Sequence, residues 1–154
     1  MRHGLLLSVA VMIAVFLAVG CSERHEEFSA FGRVDSRGWA YGDTVSVMPV
    51  DLDSVRAKRL EIAVRHTNDY PYRNLWLELS YSVGRLTVRD TVQLLLADVY
   101  GRWQGQGFGP SYQMSRRLRS RFVIPDSTVI SLRHIMRVDT LPGIEQVGIT
   151  VASE

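Results

Sequence analysis

The residues able to do chemistry are few and scattered. Of the four histidines, only His66 and His134 lie where the chain shows strand-like patterning. Neither has a second histidine or a carboxylate at metal-ligand spacing, so a core or edge histidine explains each better than a ligand or a catalytic base. Ser111, His134 and Asp139 supply the residue types of a nucleophilic triad. No Gly-x-Ser-x-Gly turn carries the serine, and the triad is discarded. Asp51-Leu52-Asp53 opens like a calcium loop, but Arg56 stands at the sixth position, where glycine is needed. No cofactor and no metal site is expected, and a hydrolase is the least favoured function.

Residues suited to contact are easier to find. Gly101-Arg102-Trp103-Gln104-Gly105-Gln106-Gly107-Phe108-Gly109-Pro110 is glycine-rich, yet no amphipathic helix follows it, as a dinucleotide loop would require. Its glycines leave backbone accessible, Trp103 offers a flat apolar face, and Gln104 and Gln106 offer amide donors and acceptors. With Tyr112, this loop is a candidate partner surface. The alternative is that Trp103 plugs one end of the fold. Trp76 has the opposite parity to Leu75 and Leu77, which makes it a candidate stacking platform if that face is open. Arg117, Arg119 and Arg121 alternate on a strand-like stretch. They suit an anionic headgroup or polysaccharide, or they are the repeated cations that protect an edge strand.

The one cysteine, Cys21, is the residue most clearly placed for a reaction. Met1-Arg2-His3 is a positive start, and Gly4 to Val19 then runs about 16 residues without a charge, short of the ~20 that span a bilayer. Ser22-Glu23-Arg24-His25-Glu26-Glu27 is abruptly polar. This is the plan of a secretory signal peptide over residues 1–20. Leu17-Ala18-Val19-Gly20-Cys21 resembles the bacterial lipobox, with Ala18 where leucine is commonest. The resemblance implies lipid transfer to the Cys21 thiol, cleavage before it, and N-acylation, giving a membrane anchor. Ser22 is not the aspartate that retains some lipoproteins in the inner membrane, so the outer membrane is favoured.

The elements that position these residues read as β-strands. Leu60, Ile62 and Val64 alternate with polar or small residues, as do Leu75 to Val83, Ile130 to Val138 and Val147 to Val151. Leu86, Val88, Val92, Leu94 and Leu96 share one parity. Period two with one apolar face marks half-buried antiparallel strands. Turn residues separate them: Asn68-Asp69-Tyr70-Pro71, Gly84, Pro125-Asp126 and Leu141-Pro142-Gly143. The last suits a type II turn. Asp51 to Arg59 has room for a helical turn or two. The expected fold is an all-β antiparallel sandwich, with a jelly-roll-like arrangement favoured, over residues 43–154. Residues 21–42 hold few aliphatics and read as the lipidated N-terminus and tether, with Phe28, Phe31, Trp39 and Tyr41 able to dock its later half.

Composition agrees with one small domain. The chain has 154 residues, 46% apolar and 22% charged, with a net charge of +2. Disorder and coiled coil are excluded, a single cysteine precludes an internal disulfide, and nucleic acid is not indicated.

Four blocks of residues together with the lipobox resemble the gliding motility lipoprotein family GldH of Bacteroidetes. They are Gly38-Trp39 with Gly42-Asp43-Thr44-Val45; Arg65-His66-Thr67-Asn68-Asp69-Tyr70-Pro71-Tyr72-Arg73-Asn74-Leu75-Trp76-Leu77; Asp98-Val99-Tyr100-Gly101-Arg102-Trp103-Gln104-Gly105-Gln106-Gly107; and Met136-Arg137-Val138-Asp139-Thr140-Leu141-Pro142-Gly143-Ile144-Glu145-Gln146-Val147-Gly148. They span nearly the whole mature chain; the basic Arg116–Arg121 segment departs from the family. The resemblance implies a non-enzymatic cell-envelope lipoprotein linked to gliding and to the associated secretion and adhesin machinery, with envelope proteins of that machinery as partners. A carbohydrate-binding module on a lipid anchor, using Trp76 and Trp103, is the competing expectation.

Overall fold

A computed structural model describes residues 26–50, 58–122, 124, 125 and 127–153. The expected signal peptide, Cys21, the Asp51-Leu52-Asp53 segment and most of the expected helical turn lie outside these residues.

Eleven strands make up the described chain. They are β1 (Glu26–Arg33), β2 (Trp39–Ala40), β3 (Val45–Val47), β4 (Lys58–Thr67), β5 (Asn74–Val83) and β6 (Leu86–Leu95). They continue with β7 (Gln106–Phe108), β8 (Ser111–Phe122), β9 (Ile130–His134), β10 (Thr140–Leu141) and β11 (Ile144–Ser153). One sheet has the order β1-β11-β4-β8-β7, a second β3-β9-β5-β6, and β10 pairs with β2. Every pairing is antiparallel. With the short β2, β7 and β10 set aside, the chain crosses between the two large sheets at every connection but the β5–β6 hairpin, the pattern of a double Greek key, which is the jelly roll.

The alternation read from sequence is what builds the core. Leu60, Ile62 and Val64 of β4 and Val147, Ile149 and Val151 of β11 face Leu75, Leu77 and Leu79 of β5 and Ile130 and Leu132 of β9 in one buried cluster. Burying each such side chain contributes roughly 1.5–3 kcal/mol. Strand β6 keeps the expected single face in an unshifted register with β5, but its burial fades toward the hairpin. Val92 and Leu94 are buried, whereas Leu86 at the hairpin tip is 73% exposed.

The stretch expected to be a tether is corrected from Glu26 onward. It forms β1, which pairs along β11 from Glu26↔Ala152 to Arg33↔Gln146. Trp39, also in that stretch, is buried and donates its indole N–H to the Asp43 carbonyl at 3.0 Å. An edge strand covers only one flank of the core. The inward positions Phe28 and Ala30 therefore suffice to seat it, without the aliphatic run that a central strand needs.

Candidate binding cleft

Three of the sequence blocks meet at one end of the sandwich. The turn before β11 puts Gly143 at φ 77°, and its carbonyl accepts the Thr67 N–H at 2.8 Å. A Cβ on Gly143 would lie 2.4 Å from the Tyr70 nitrogen, so this approach is open only to glycine. Tyr70 is buried and donates its hydroxyl to the Asn74 carbonyl at 2.7 Å, and burial pushes its phenol pKa up. Trp103 donates its indole N–H to Asn68 Oδ1 at 2.9 Å.

His66 lies beneath these residues, fully buried. Its Nδ1 is 3.1 Å from the Thr67 carbonyl, an acceptor, which makes Nδ1 the protonated nitrogen. Its ring centroid is 4.6 Å from Trp103, 5.7 Å from Tyr112 and 5.8 Å from Tyr70. Desolvation holds its pKa down. His134 is also buried, with Nε2 3.0 Å from the Trp39 carbonyl and its pKa held down by burial. Both histidines are core residues, as their settings in the sequence suggested.

Outside this aromatic plug, the outer face of the five-stranded sheet carries a row of polar side chains. The register sets Arg33 of β1 opposite Gln146 of β11, Gln146 opposite Arg65 of β4, Arg65 opposite Gln113 of β8, and Gln113 opposite Gln106 of β7. Residues directly opposite in antiparallel strands share a face. Arg65 ties the middle of the row together, donating from Nη1 to Gln146 Oε1 at 3.0 Å and from Nη2 to Gln113 Oε1 at 2.9 Å. A guanidinium has only donors, so both glutamines must present oxygen to it and direct their NH₂ groups elsewhere. A register shift between Ile144 and Gln146 makes room for Glu145, whose Oε2 accepts the Ser111 hydroxyl at 3.0 Å. These side chains, with Thr67, Asp69 and Tyr112, line a cleft of about 920 Å³.

The sequence candidates divide among different places. Gln106 and Tyr112 line the cleft. Trp103 is half-buried against the core and belongs to the plug. Gln104 is exposed, with its backbone N–H bonded to the Leu96 carbonyl at 2.7 Å. Trp76 is 38% exposed on the other sheet, beside a smaller cavity of about 390 Å³ that Arg116 and Arg117 also line. The two tryptophans therefore do not form one platform.

Arg117 pairs with Glu61 at 3.5 Å. The register shifts between Glu61↔Arg117 and Leu60↔Arg119, so strict alternation from Arg117 through Arg119 to Arg121 is broken by a bulge. The side chains of Arg119 and Arg121 lie outside the described set. Arg33, Arg65, Gln113, Glu145 and Gln146 were not singled out from sequence. Arg65, Glu145 and Gln146 stood in the family-like blocks without a role, and the remaining two had only outward parity, which every solvent-facing strand residue shares. Among the described residues no three His, Cys, Asp or Glu side chains gather so as to hold a metal ion.

A family model described as GldH lipoprotein matches residues 26–151. The chain is also similar to a protein of Christiangramia forsetii named gliding motility lipoprotein GldH homolog. The two are 23% identical over 155 residues, covering 94% of each chain.

Proposed function

Since the chain belongs to the GldH lipoprotein family, we propose that it is a non-enzymatic, lipid-anchored protein of the cell envelope that assists gliding motility or the associated secretion and adhesin machinery. The observation that carries this reading is the extent of the match: residues 26–151 take in the sandwich from β1 into β11. The relative named for gliding motility is matched over 94% of the chain.

The arrangement of polar groups supports a binding role. In the cleft Arg65 holds Gln113 and Gln146, and Ser111 holds Glu145, in fixed hydrogen bonds, which suits holding a partner better than moving a proton. Cys21 is the acylated residue on this reading, with the outer membrane as its destination. The test is a strain lacking the gene, complemented with wild type or with Cys21→Ser. Colony spreading and surface secretion should fail in the deletion, return with wild type, and stay impaired with Cys21→Ser. Wild-type spreading and secretion in the deletion strain would refute the motility role. A Cys21→Ser protein that is still processed and membrane-bound would refute the anchor.

A further inference from the structure

The polar row across β1, β11, β4, β8 and β7 has a chemical character of its own. Arg65, Gln113 and Gln146 are half-buried and hold one another by hydrogen bonds, so a ligand need not freeze them and loses less on binding. Arg33 and Gln106 are exposed at the two ends of the row. The donors left over are the amide NH₂ groups of Gln113 and Gln146 and the Arg33 guanidinium. Acceptors stand beside them: the Glu145 carboxylate oxygen not engaged by Ser111, the Asp69 carboxylate and the Thr67 hydroxyl.

We propose that this cleft binds a short polyhydroxylated saccharide. Neighbouring sugar hydroxyls each donate and accept, and planar amides, guanidinium and carboxylate groups alternating along a surface match that pattern. Two arginines and two carboxylates line the cleft, so its charges balance and do not call for a phosphate or other strong anion. A peptide would need apolar pockets for its side chains or a free strand edge for its backbone. The row instead crosses the face of a sheet, on polar side chains. The Tyr112 ring takes the inner face, opposite His66 and stacked on it with centroids 5.7 Å apart, so the polar row itself makes the contact to the sugar. The cleft's 920 Å³ lies within the range of small-ligand sites, about 300–1,000 Å³. This assignment stands on the cleft and is independent of the motility role.

The experiment uses the full-length lipoprotein in detergent on a printed array. The array carries di- to hexasaccharides of glucose, galactose, N-acetylglucosamine and glucuronic acid beside unmodified peptides of similar length. Wild type should be retained on at least one saccharide series and not on the peptides. Arg33→Ala removes an exposed side chain that makes no hydrogen bond among the described residues, so it should melt as wild type does yet bind about tenfold more weakly, the loss of one or two hydrogen bonds. Gln113→Ala should weaken binding at least as much, and Trp76→Ala, on the other sheet, should leave it unchanged. The proposal fails if no saccharide retains the wild type or if peptides are preferred. It also fails if Arg33→Ala binds at full strength, or if only Trp76→Ala loses binding.

Discussion

The indole of Trp103 stands edge-on to the imidazole of His66, with ring centroids 4.6 Å apart and planes at 62°. This contact closes one end of the sandwich. Trp103 brings apolar area over a buried polar ring, and Asn68 accepts the indole N–H that would otherwise lack a partner. Trp103→Ala should therefore act on stability. A half-buried tryptophan belongs at the lower end of the truncation range, about 3 kcal/mol, measured by urea unfolding. A variant as stable as wild type would remove Trp103 from the plug.

Two glycines with similar backbone angles should respond differently to alanine. Gly143, at φ 77°, has the Tyr70 backbone 2.4 Å from where a Cβ would sit, whereas Gly84, at φ 61°, has nothing within 4 Å. Gly84→Ala should cost only the left-handed strain, roughly 1–2 kcal/mol. Gly143→Ala adds a clash that only backbone movement relieves, and should cost clearly more. Equal losses in thermal unfolding would show that the close approach of the two turns contributes nothing.

Burial depresses the pKa of both His66 and His134, so the fold favours neutral imidazoles. The unfolded chain takes up protons near pH 6.5, the folded chain only at lower pH. Stability should be flat above about pH 7. It should then decline as pH falls below about 6.5 toward the folded values, by up to about 1.4 kcal/mol per pH unit for each histidine. His66→Gln should flatten part of that slope. A slope unchanged by the substitution, in urea titrations between pH 7 and 5, would contradict this origin.

Tyr70→Phe removes the hydroxyl that satisfies the Asn74 carbonyl and leaves the ring packing in place. The expected loss is about 1–2 kcal/mol, the net hydrogen bond plus a partly stranded buried acceptor. Full stability in the phenylalanine variant would mean that this carbonyl finds another partner.

Several central strands were legible because both their neighbours demand one apolar face: β4, β5 and β11 lie where Leu60, Leu75 and Val147 begin their alternations, whereas β8, equally central, carries too few aliphatics to show one. The glycine loop was legible too, with Gly101, Gly105 and Gly109 all at positive φ. Strand β1 was not, because Phe28 and Ala30 on one flank do not make a periodic apolar run. The cleft was least legible of all. Arg33 and Gln146 come from opposite ends of the chain, and only the register of β1 on β11 aligns them. Alternation reports which face a residue takes, and says nothing about which residues stand opposite one another.

Strand β1 also sets a direction. It begins at Glu26, a few residues past Cys21, and ends at Arg33, where the cleft opens. On the proposed anchoring of Cys21, five residue steps hold the start of β1 within about 18 Å of the lipid, while the eight residues of β1 extend roughly a further 26 Å. On that proposal the strand works as a short mast, with its foot near the headgroups and the cleft at its tip, and whatever the cleft meets approaches from the side away from the bilayer.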